Sequence, residues 1–450
     1  MTSNYRNIVI GFGKAGRALA KSLAIHGESV LLVEKDTEMY GGTCPNVGCA
    51  PSKALIVRAN RNENFTQAIA EKRELVLKLR SMATGMLTSE SNIVILNGEA
   101  SFVNDKEITV LLPNGTNVNF TANRIFIDTG ATPVMPPISG LNESKNVITT
   151  KEALNLDTLP KHFVIIGAGF AGLEFAAMYQ RFGAKVSVID YHKNFIPSMD
   201  EDVSEQIFCD MHHDGIQFFL DSQITEIQYG EKHSTIVFTH NGKQHSLIAD
   251  KILVTTGRKA NIAALGLEHT NIQVTPQGTI QVDDKLQTSV SGVWAMGDVR
   301  GGLQFYYLST DDFRIVENQL FGDNTRLLSD RTPVPYCVFI NPTLSHIGLT
   351  EKEAKAQNIP YRLFKMQAAR IVKANVVGDT KGVLKALVNP VNDQILGATL
   401  YHEDSHEVIN LLAVAIKARI PYTLLQKNIF THPSMSEGLN DLFSSEIIEA

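Results

Sequence analysis

Cys44 and Cys49 stand in the segment Gly41-Gly42-Thr43-Cys44-Pro45-Asn46-Val47-Gly48-Cys49-Ala50-Pro51-Ser52-Lys53 and are the side chains best suited to redox chemistry. Pro51 and the apolar positions Ala54 and Val57 predict a helix that opens near Cys49. The free N–H groups and dipole of a helix N-terminus favour a thiolate over a thiol. Lys53, one turn further on, adds positive charge to the same face. Two other readings stand beside redox work. A structural zinc site would need two more ligands, and no nearby CxxC or paired histidine supplies them. An inert buried pair is the other, but it sits poorly with an electropositive setting. Cys209 and Cys337 are isolated and read as buried small hydrophobes.

The pair is positioned by one of two similar frames. Asn7-Ile8-Val9-Ile10 leads into Gly11-Phe12-Gly13-Lys14-Ala15-Gly16, a helix reaching Gly27, and a strand from Val30 to Val33 that ends at Glu34. The pattern returns 156 residues later: Phe163-Val164-Ile165-Ile166, then Gly167-Ala168-Gly169-Phe170-Ala171-Gly172, a helix to Gly183, and a strand from Val186 to Ile189 ending at Asp190. The third glycine precedes the loop glycine by 11 residues and the acid by 18 in both copies. In such a frame the glycines permit a tight turn, close approach of backbone to a pyrophosphate, and packing of helix on strand. The helix N-terminus faces the phosphates, and the acid accepts hydrogen bonds from a ribose diol. A single GxGxxG could merely close a tight turn. Two complete strand–turn–helix–strand–acid frames imply two bound dinucleotides.

The bulk properties set the bounds. The 450 residues predict about three domains. Hydrophobic residues at 44% and charged residues at 20% describe a globular protein. A net charge of −6 with no basic run argues against nucleic acid and anionic membrane as partners. No apolar stretch is long enough for a transmembrane helix, and the N-terminus lacks a signal-peptide pattern, so the expected compartment is the cytoplasm.

Between the frames lie a charge-rich helical stretch, 63–86, and a strand-rich stretch, 93–126, closed by Asp128-Thr129-Gly130-Ala131. Thr255-Thr256-Gly257-Arg258 punctuates the second copy in the same way, and a short strand then ends in Gly297-Asp298. Arg331-Thr332-Pro333-Val334-Pro335 reads as a linker. His402-Glu403-Asp404-Ser405-His406 matches HExxH literally, but no third ligand is visible, and a zinc-protease reading is declined. Capture of a metal by His402 and His406 stays open.

Gly42-Thr43-Cys44, Gly48-Cys49, Pro51-Ser52-Lys53, the two glycine frames, Gly297-Asp298 and His432-Pro433 through Glu437 resemble the class I pyridine nucleotide–disulfide oxidoreductases. Lipoamide dehydrogenase, glutathione reductase and mercuric reductase belong to that family. Gly301-Gly302-Leu303-Gln304-Phe305, Ser405-His406-Glu407 and Ser434 through Asp441 are most similar to its reactive-chlorine-resistance branch, flavoproteins that reduce Cu(II) and are related to mercuric reductase. Pro45 and Ala50 replace the bulkier aliphatics usual in that branch.

The resemblance implies an α/β fold with two Rossmann-like dinucleotide-binding domains and a C-terminal α+β dimerisation domain. FAD would occupy 1–145 with 258–330, NAD(P)H 146–257, and the dimer interface 331–450. Gly11, Gly13, Gly16 and Glu34 would bind FAD with Gly42, Thr43, Gly98, Ala100, Thr129, Gly130, Gly257, Arg258, Gly297 and Asp298. A helix starting near Leu303 and Gln304 would point at the flavin. Gly167, Gly169, Gly172 and Asp190 would hold the nicotinamide coenzyme, with NADH preferred and NADPH possible. Glu174 would pair with Lys53 beside the flavin. Cys44 and Cys49 would form a redox-active disulfide, with Cys49 facing the flavin and Cys44 exchanging, both as transient ligands of a metal substrate and with no structural metal. His432 with Glu437 would act as an acid/base pair entering from the second subunit of a homodimer. The implied activity is NAD(P)H-dependent reduction of a thiophilic metal ion, Cu(II) or Hg(II), in defence against oxidative and reactive-chlorine stress. A small-molecule disulfide reductase resembling dihydrolipoamide dehydrogenase is the alternative, and a non-catalytic flavoprotein redox sensor is the second.

Overall fold

The structure, a computed structural model, describes residues 3–331 and 333–449. Runs that are apolar at nearly every position become strands covered on both faces. Ile8-Val9-Ile10, Val30 to Val33, Phe163 to Ile166 and Val186 to Ile189 are all buried, the pattern of a parallel sheet between helical layers. In the first sheet Ile93–Asn97, Val30–Glu34, Ser3–Ile10 and Asn117–Ile127 lie side by side in parallel, and Val293–Ala295 pairs in parallel with the far end of Asn117–Ile127. The near end of that long strand continues into an antiparallel meander with Glu107–Leu111 and Glu99–Asn104.

The second sheet is wholly parallel, in the order Gln217–Phe219, Lys185–Ile189, His162–Ile166, Lys251–Val254 and Val147–Ile148. An antiparallel meander, Ser222–Gln228, Ser234–His240 and Lys243–Ala249, sits between its strands in sequence. The chain leaves the first sheet through Ala131–Pro133 and comes back through Arg258–Ala260. These two crossings pair antiparallel, so the second sheet is an insertion held at its neck. The C-terminal sheet is antiparallel throughout, in the order Tyr336–Val338, Leu344–Gly348, Ile395–Tyr401, Val383–Val388, Arg362–Gln367 and Ile447–Glu449, with the helix Ser405–Lys417 packed on it. The expected α/β class, with two Rossmann-like sheets and a C-terminal α+β unit, is the fold observed.

Four expectations need correction. The helix expected near Leu303 begins at Tyr306, because Gly301 and Gly302 both take left-handed backbone (φ +78° and +76°) and Phe305 is still extended. The linker 331–335 is pinned at its start: the Arg331 side chain is buried and its Nε lies 2.6 Å from Asp311 Oδ2. Thr332 lies outside the described residues. Cys209 is exposed on the helix Glu201–His213 rather than buried, because the apolar stripe of that helix falls on Val203, Ile207 and Met211. His402 precedes its helix, which starts at Ser405 after Asp404 in left-handed backbone, so the two imidazoles of the HExxH match do not share a helical face. No helix among the described residues is long and apolar enough to cross a membrane.

One buried charge is paired with no carboxylate. Lys72, on the helix Phe65–Thr88, is 2% exposed, and its ammonium donates to the Asn155 side-chain oxygen at 2.7 Å. Burial, with Arg73 adding to it, lowers its pKa from the ordinary 10.5 to about 8. Below about pH 8 the lysine is charged in both folded and unfolded chains, and the penalty of burial is present in full. Between about pH 8 and 10.5 the folded chain gives up the proton first, so stability rises with pH there. The shift corresponds to roughly 3 kcal/mol. Lys72→Met should therefore raise the thermal midpoint by a few degrees at neutral pH, with the gain shrinking toward pH 10 (scanning calorimetry at both pH values). A lowered midpoint at neutral pH would show that the Asn155 hydrogen bond outweighs the buried charge.

Candidate active site

The first glycine frame closes on an acid. Gly16 N–H, at the start of the helix Lys14–Ile25, donates to Asp128 Oδ2 at 2.6 Å, and a Cβ on Gly13 would lie 2.5 Å from that same oxygen. Asp128 ends the long central strand and is fully buried. Burial lifts its carboxyl well above the usual range, and Asp298, Asp312 and Glu34 add to the effect against the Gly16 hydrogen bond. Glu34 accepts from the N–H groups of Phe12 at 2.9 Å and Asp36 at 3.1 Å. Asp298 sits beside Arg258 and Arg300, which partly offset the upward push of burial on its pKa. Asp312 is completely buried and accepts the Gly297 N–H at 2.6 Å, fixing the turn that presents Asp298.

These groups border a cavity of about 380 Å³ lined by Gly13, Glu34, Gly42, Cys44, Cys49 and Asp298 among others. A smaller one of about 150 Å³ adjoins it at Glu34 and Thr129, between Gly11, Gly98, Ala100 and Leu265. The shape suits an extended dinucleotide: a bare-backbone cradle at the helix N-terminus, a carboxylate at the strand end, and an apolar slot beyond.

The cysteines lie at the other end of the larger cavity. Thr43–Val47 forms a single helical turn, Gly48 breaks it, and Cys49 is the first residue of the helix Cys49–Asn60. Gly42 (φ +82°) lets this segment press on the glycine frame, where a Cβ would lie 2.9 Å from Gly13 Cα. Both cysteines are free thiols, and the proton affinity of each is set first by the other. The Cys49 thiol is pulled down to about 6, first by the Cys44 S–H that donates to it and then by the Lys53 ammonium, against burial and the Glu174 carboxylate. Cys44 is pushed up by its role as donor and by burial, with Arg17 acting in the opposite direction. The single thiolate of the pair thus resides on Cys49, whose sulfur has the helix N-terminus and Lys53 on its side.

Lys53 Nζ donates to Glu174 Oε2 at 2.6 Å and sits 4.8 Å above the Phe339 ring. Glu174, on the helix Phe170–Arg181 of the second frame, uses its other oxygen to accept the Phe339 N–H at 3.0 Å. In that frame Thr255 takes the position that Asp128 holds in the first. Its hydroxyl donates to the Ile166 and Gly167 carbonyls, and a Cβ on Gly172 would lie 2.1 Å from the Gly167 carbonyl oxygen. Asp190 ends the strand Lys185–Ile189 with its carboxylate buried and already bonded to Ala168 and His192.

His432 Nδ1 lies 2.8 Å from Glu437 Oε2, and Ser434 N–H donates to Glu437 Oε1 at 3.1 Å. The His432 side chain is 64% exposed, and neither residue lines the cavity of its own chain. Gln304 lines the cavity, whereas Leu303 is exposed and turned away from it. Gly130 and Arg258 line it as well, and Gly257 takes left-handed backbone (φ +112°) at the neck beside them. Sequence reasoning missed Asp128 and Asp312 as anchors, and Tyr306 and Asn261 as lining residues. The available signal for Asp128 was an acid directly after a central parallel strand, where the crevice of such a sheet opens.

The chain is similar to known proteins over nearly its whole length. Residues 5–312 match the family model described as pyridine nucleotide-disulphide oxidoreductase, and residues 334–443 match the dimerisation domain of the same family. The chain is 41% identical to a probable pyridine nucleotide-disulfide oxidoreductase, RclA, of Escherichia coli, over 98% of this chain and 99% of that one. It is 30% identical to a mercuric reductase of Staphylococcus aureus, over 97% and 81% of the two chains. The Cu(II) complex of the HOCl-induced flavoprotein disulfide reductase RclA from Escherichia coli superposes with a TM-score of 0.95 at 40% identity, covering 99% of both chains.

The thiolate assignment has a direct check. In the reduced protein, alkylation of Cys49 followed by mass spectrometry should rise with a midpoint at about pH 6, while Cys44 reacts only at much higher pH. Lys53→Met should move the Cys49 midpoint upward by about one unit, the usual effect of removing an adjacent opposite charge. An unmoved midpoint would assign the whole effect to the helix terminus and the Cys44 S–H.

Proposed function

The chain belongs to the pyridine nucleotide-disulphide oxidoreductases, a flavoprotein family that uses FAD and NAD(P)H, and from that premise we propose that it reduces a thiophilic metal ion, Cu(II) or Hg(II), at the Cys44–Cys49 pair during oxidative or reactive-chlorine stress. The observation that carries the reading is the thiol pair itself: one sulfur held as a thiolate beside Lys53, the other coupled to it at the rim of the same cavity. Neighbouring soft sulfurs are suited to thiophilic ions such as Cu(I). The Cu(II) complex of the similar protein from Escherichia coli and the similarity to a mercuric reductase support the choice of acceptor.

On this reading residues 1–145 with 258–330 form the FAD unit, 146–257 the NAD(P)H unit and 331–450 the dimer interface. When bound, NAD(P)H supplies a hydride and FAD carries its electron pair toward the disulfide. The chain's own residues do the rest. The Lys14–Ile25 N-terminus, braced by Asp128, would hold the pyrophosphate end, and Asp298 would hold the linker toward the flavin. Lys53, tied to Glu174, keeps positive charge beside Cys49. The Cys44 thiol and Cys49 thiolate give one electron to each of two Cu(II) ions, leaving a disulfide, two Cu(I) and one proton. A histidine aligned by a carboxylate is suited to accept that proton, the role assigned to the partner subunit's His432 with Glu437.

The test is NADH oxidation by the FAD-loaded enzyme with Cu(II), Hg(II), lipoamide, glutathione disulfide or a quinone as acceptor. Turnover with the metal ions is expected, falling to the uncatalysed background in Cys44→Ser and Cys49→Ser. Turnover with a disulfide alone would select the disulfide-reductase reading, and no turnover with any acceptor would leave a sensor. Because the acid/base pair is assigned across the subunit boundary, mixed dimers of Cys44→Ser and His432→Ala subunits should recover activity that neither parent has. Confirmed subunit exchange without recovery would place both groups in one chain or make His432 structural.

A further inference from the structure

The two histidines of the HExxH match take no part in the chemistry of the cysteine pair. Each nevertheless buries a ring nitrogen that no group among the described residues meets: Nε2 of His402 and Nδ1 of His406. They arrive from different elements. The His402 N–H donates to the Thr343 carbonyl at 3.2 Å, carrying the pairing of Leu344–Gly348 with Ile395–Tyr401 one residue further. Strand alternation then sets His402 on the same face as Leu400, which shares a core with Val408 and Leu412 of the helix Ser405–Lys417. His402 is completely buried on that face. His406 stands in the first turn of the same helix, its ring centroid 5.2 Å from that of Phe339.

The hydrogen-bond partners place the protons on both rings. His402 Nδ1 lies 2.6 Å from the Glu403 carbonyl oxygen, so Nδ1–H is the donor and Nε2 is a bare lone pair. Burial lowers the His402 pKa to about 4 against the Glu403 carbonyl and Asp404, and His406 lies near enough to act in the same direction as burial. On His406 the Nε2 edge has the Glu407 carboxylate at 3.9 Å, whereas a proton on Nδ1 would be a buried donor with no acceptor. The proton therefore belongs on Nε2, and Nδ1 is the second bare lone pair. Two acceptors cannot satisfy each other. A metal cation satisfies both, and a backbone carbonyl that fixes the tautomer of a ring is a common outer support of an imidazole ligand.

The number of ligands narrows the ion. A closed zinc site takes four. The only group of three or more ligand side chains brought together among the described residues is Asp200, Asp202 and Glu351, and the Lys385 ammonium already sits among them. Two neutral imidazole nitrogens in a buried place suit a monovalent closed-shell ion, Cu(I), which accepts two ligands and brings a single charge to bury.

We propose that His402 Nε2 and His406 Nδ1 form a second metal site, which holds Cu(I) between two imidazoles and is separate from Cys44 and Cys49. Neither histidine lines the cavity that the cysteines line. The inference stands on the ligand set and not on the reaction assigned to the cysteines. Its test uses FAD-loaded protein carrying Cys44→Ser, Cys49→Ser and Cys209→Ser, so the outcome bears on this site and not on the metal-reductase reading. Anaerobic titration with Cu(I) against a colorimetric Cu(I) chelator should show one ion retained per chain. Adding His402→Gln or His406→Gln should weaken retention at least about tenfold, the lower end of what loss of an outer-shell partner alone costs a metal site. His402 is buried and its replacement can fail to fold, so His406→Gln, at a partly exposed position, serves as the second variant. Retained FAD absorbance reports the folding of each. X-ray absorption at the copper edge should show two imidazole nitrogens and no sulfur. No retained ion, equal retention in the folded histidine variants, or sulfur from Cys337 in the copper shell would overturn the proposal.

Discussion

A single carboxylate, Glu174, ties the three parts of this molecule together beside the cysteine pair. One of its oxygens holds Lys53 on the cysteine helix, and the other holds the Phe339 backbone at the start of the C-terminal unit. Glu174 is itself buried on the helix of the second glycine frame. A buried carboxylate without its cation would be severely destabilising, so the insertion must dock with Lys53 in place. Docking in turn places Lys53 beside Cys49 and over the Phe339 ring. The same contact that assembles the units therefore also acts on Cys49, behind the larger effect of Cys44. This links domain packing to redox chemistry more closely than the sheets alone would require.

The first frame is braced by a different device, a buried acid that accepts a backbone N–H. Asp128 is enclosed by three glycines and lies near Asp298, Asp312 and Glu34, so burial raises its pKa. Its Oδ2 accepts the Gly16 N–H and so braces the glycine turn at the start of the helix. At the two ends of the crevice Glu34 is bonded to backbone N–H groups and Asp298 has Arg258 and Arg300 near it. Thr255 braces the second frame with a hydroxyl on the Ile166 and Gly167 carbonyls. The two copies of the repeat thus use different side chains for one structural task.

The glycine frames, the two parallel sheets, the cysteine pair and Lys53 on the same helical face were legible in the chain, because each depends on short-range spacing: strand, turn, helix and acid within a few dozen residues, or one helical turn. The expected helix at Leu303 fell three residues early, since nothing local announces that Gly301 and Gly302 both turn left-handed. Cys209 was misplaced for a related reason. Its isolation says nothing about which face of an amphipathic helix meets the core, and that is settled by the partners of Val203, Ile207 and Met211.

Asp128, Asp312 and Phe339 became visible only once the chain was folded. Asp128 meets Gly16 across 112 residues, and Glu174 meets Phe339 across 165. Contacts of that separation leave no period in the sequence, because they are specified by how sheets and crossings stack rather than by any local pattern. By itself the sequence determined the fold class, the repeat and the Cys44–Cys49 segment with Lys53 one turn on, all of which depend on short-range spacing. Tertiary structure decided which groups brace the two glycine turns, that Glu174 reaches the Phe339 backbone and what surrounds Asp190, because each depends on groups that meet only when separate strands end at the same edge.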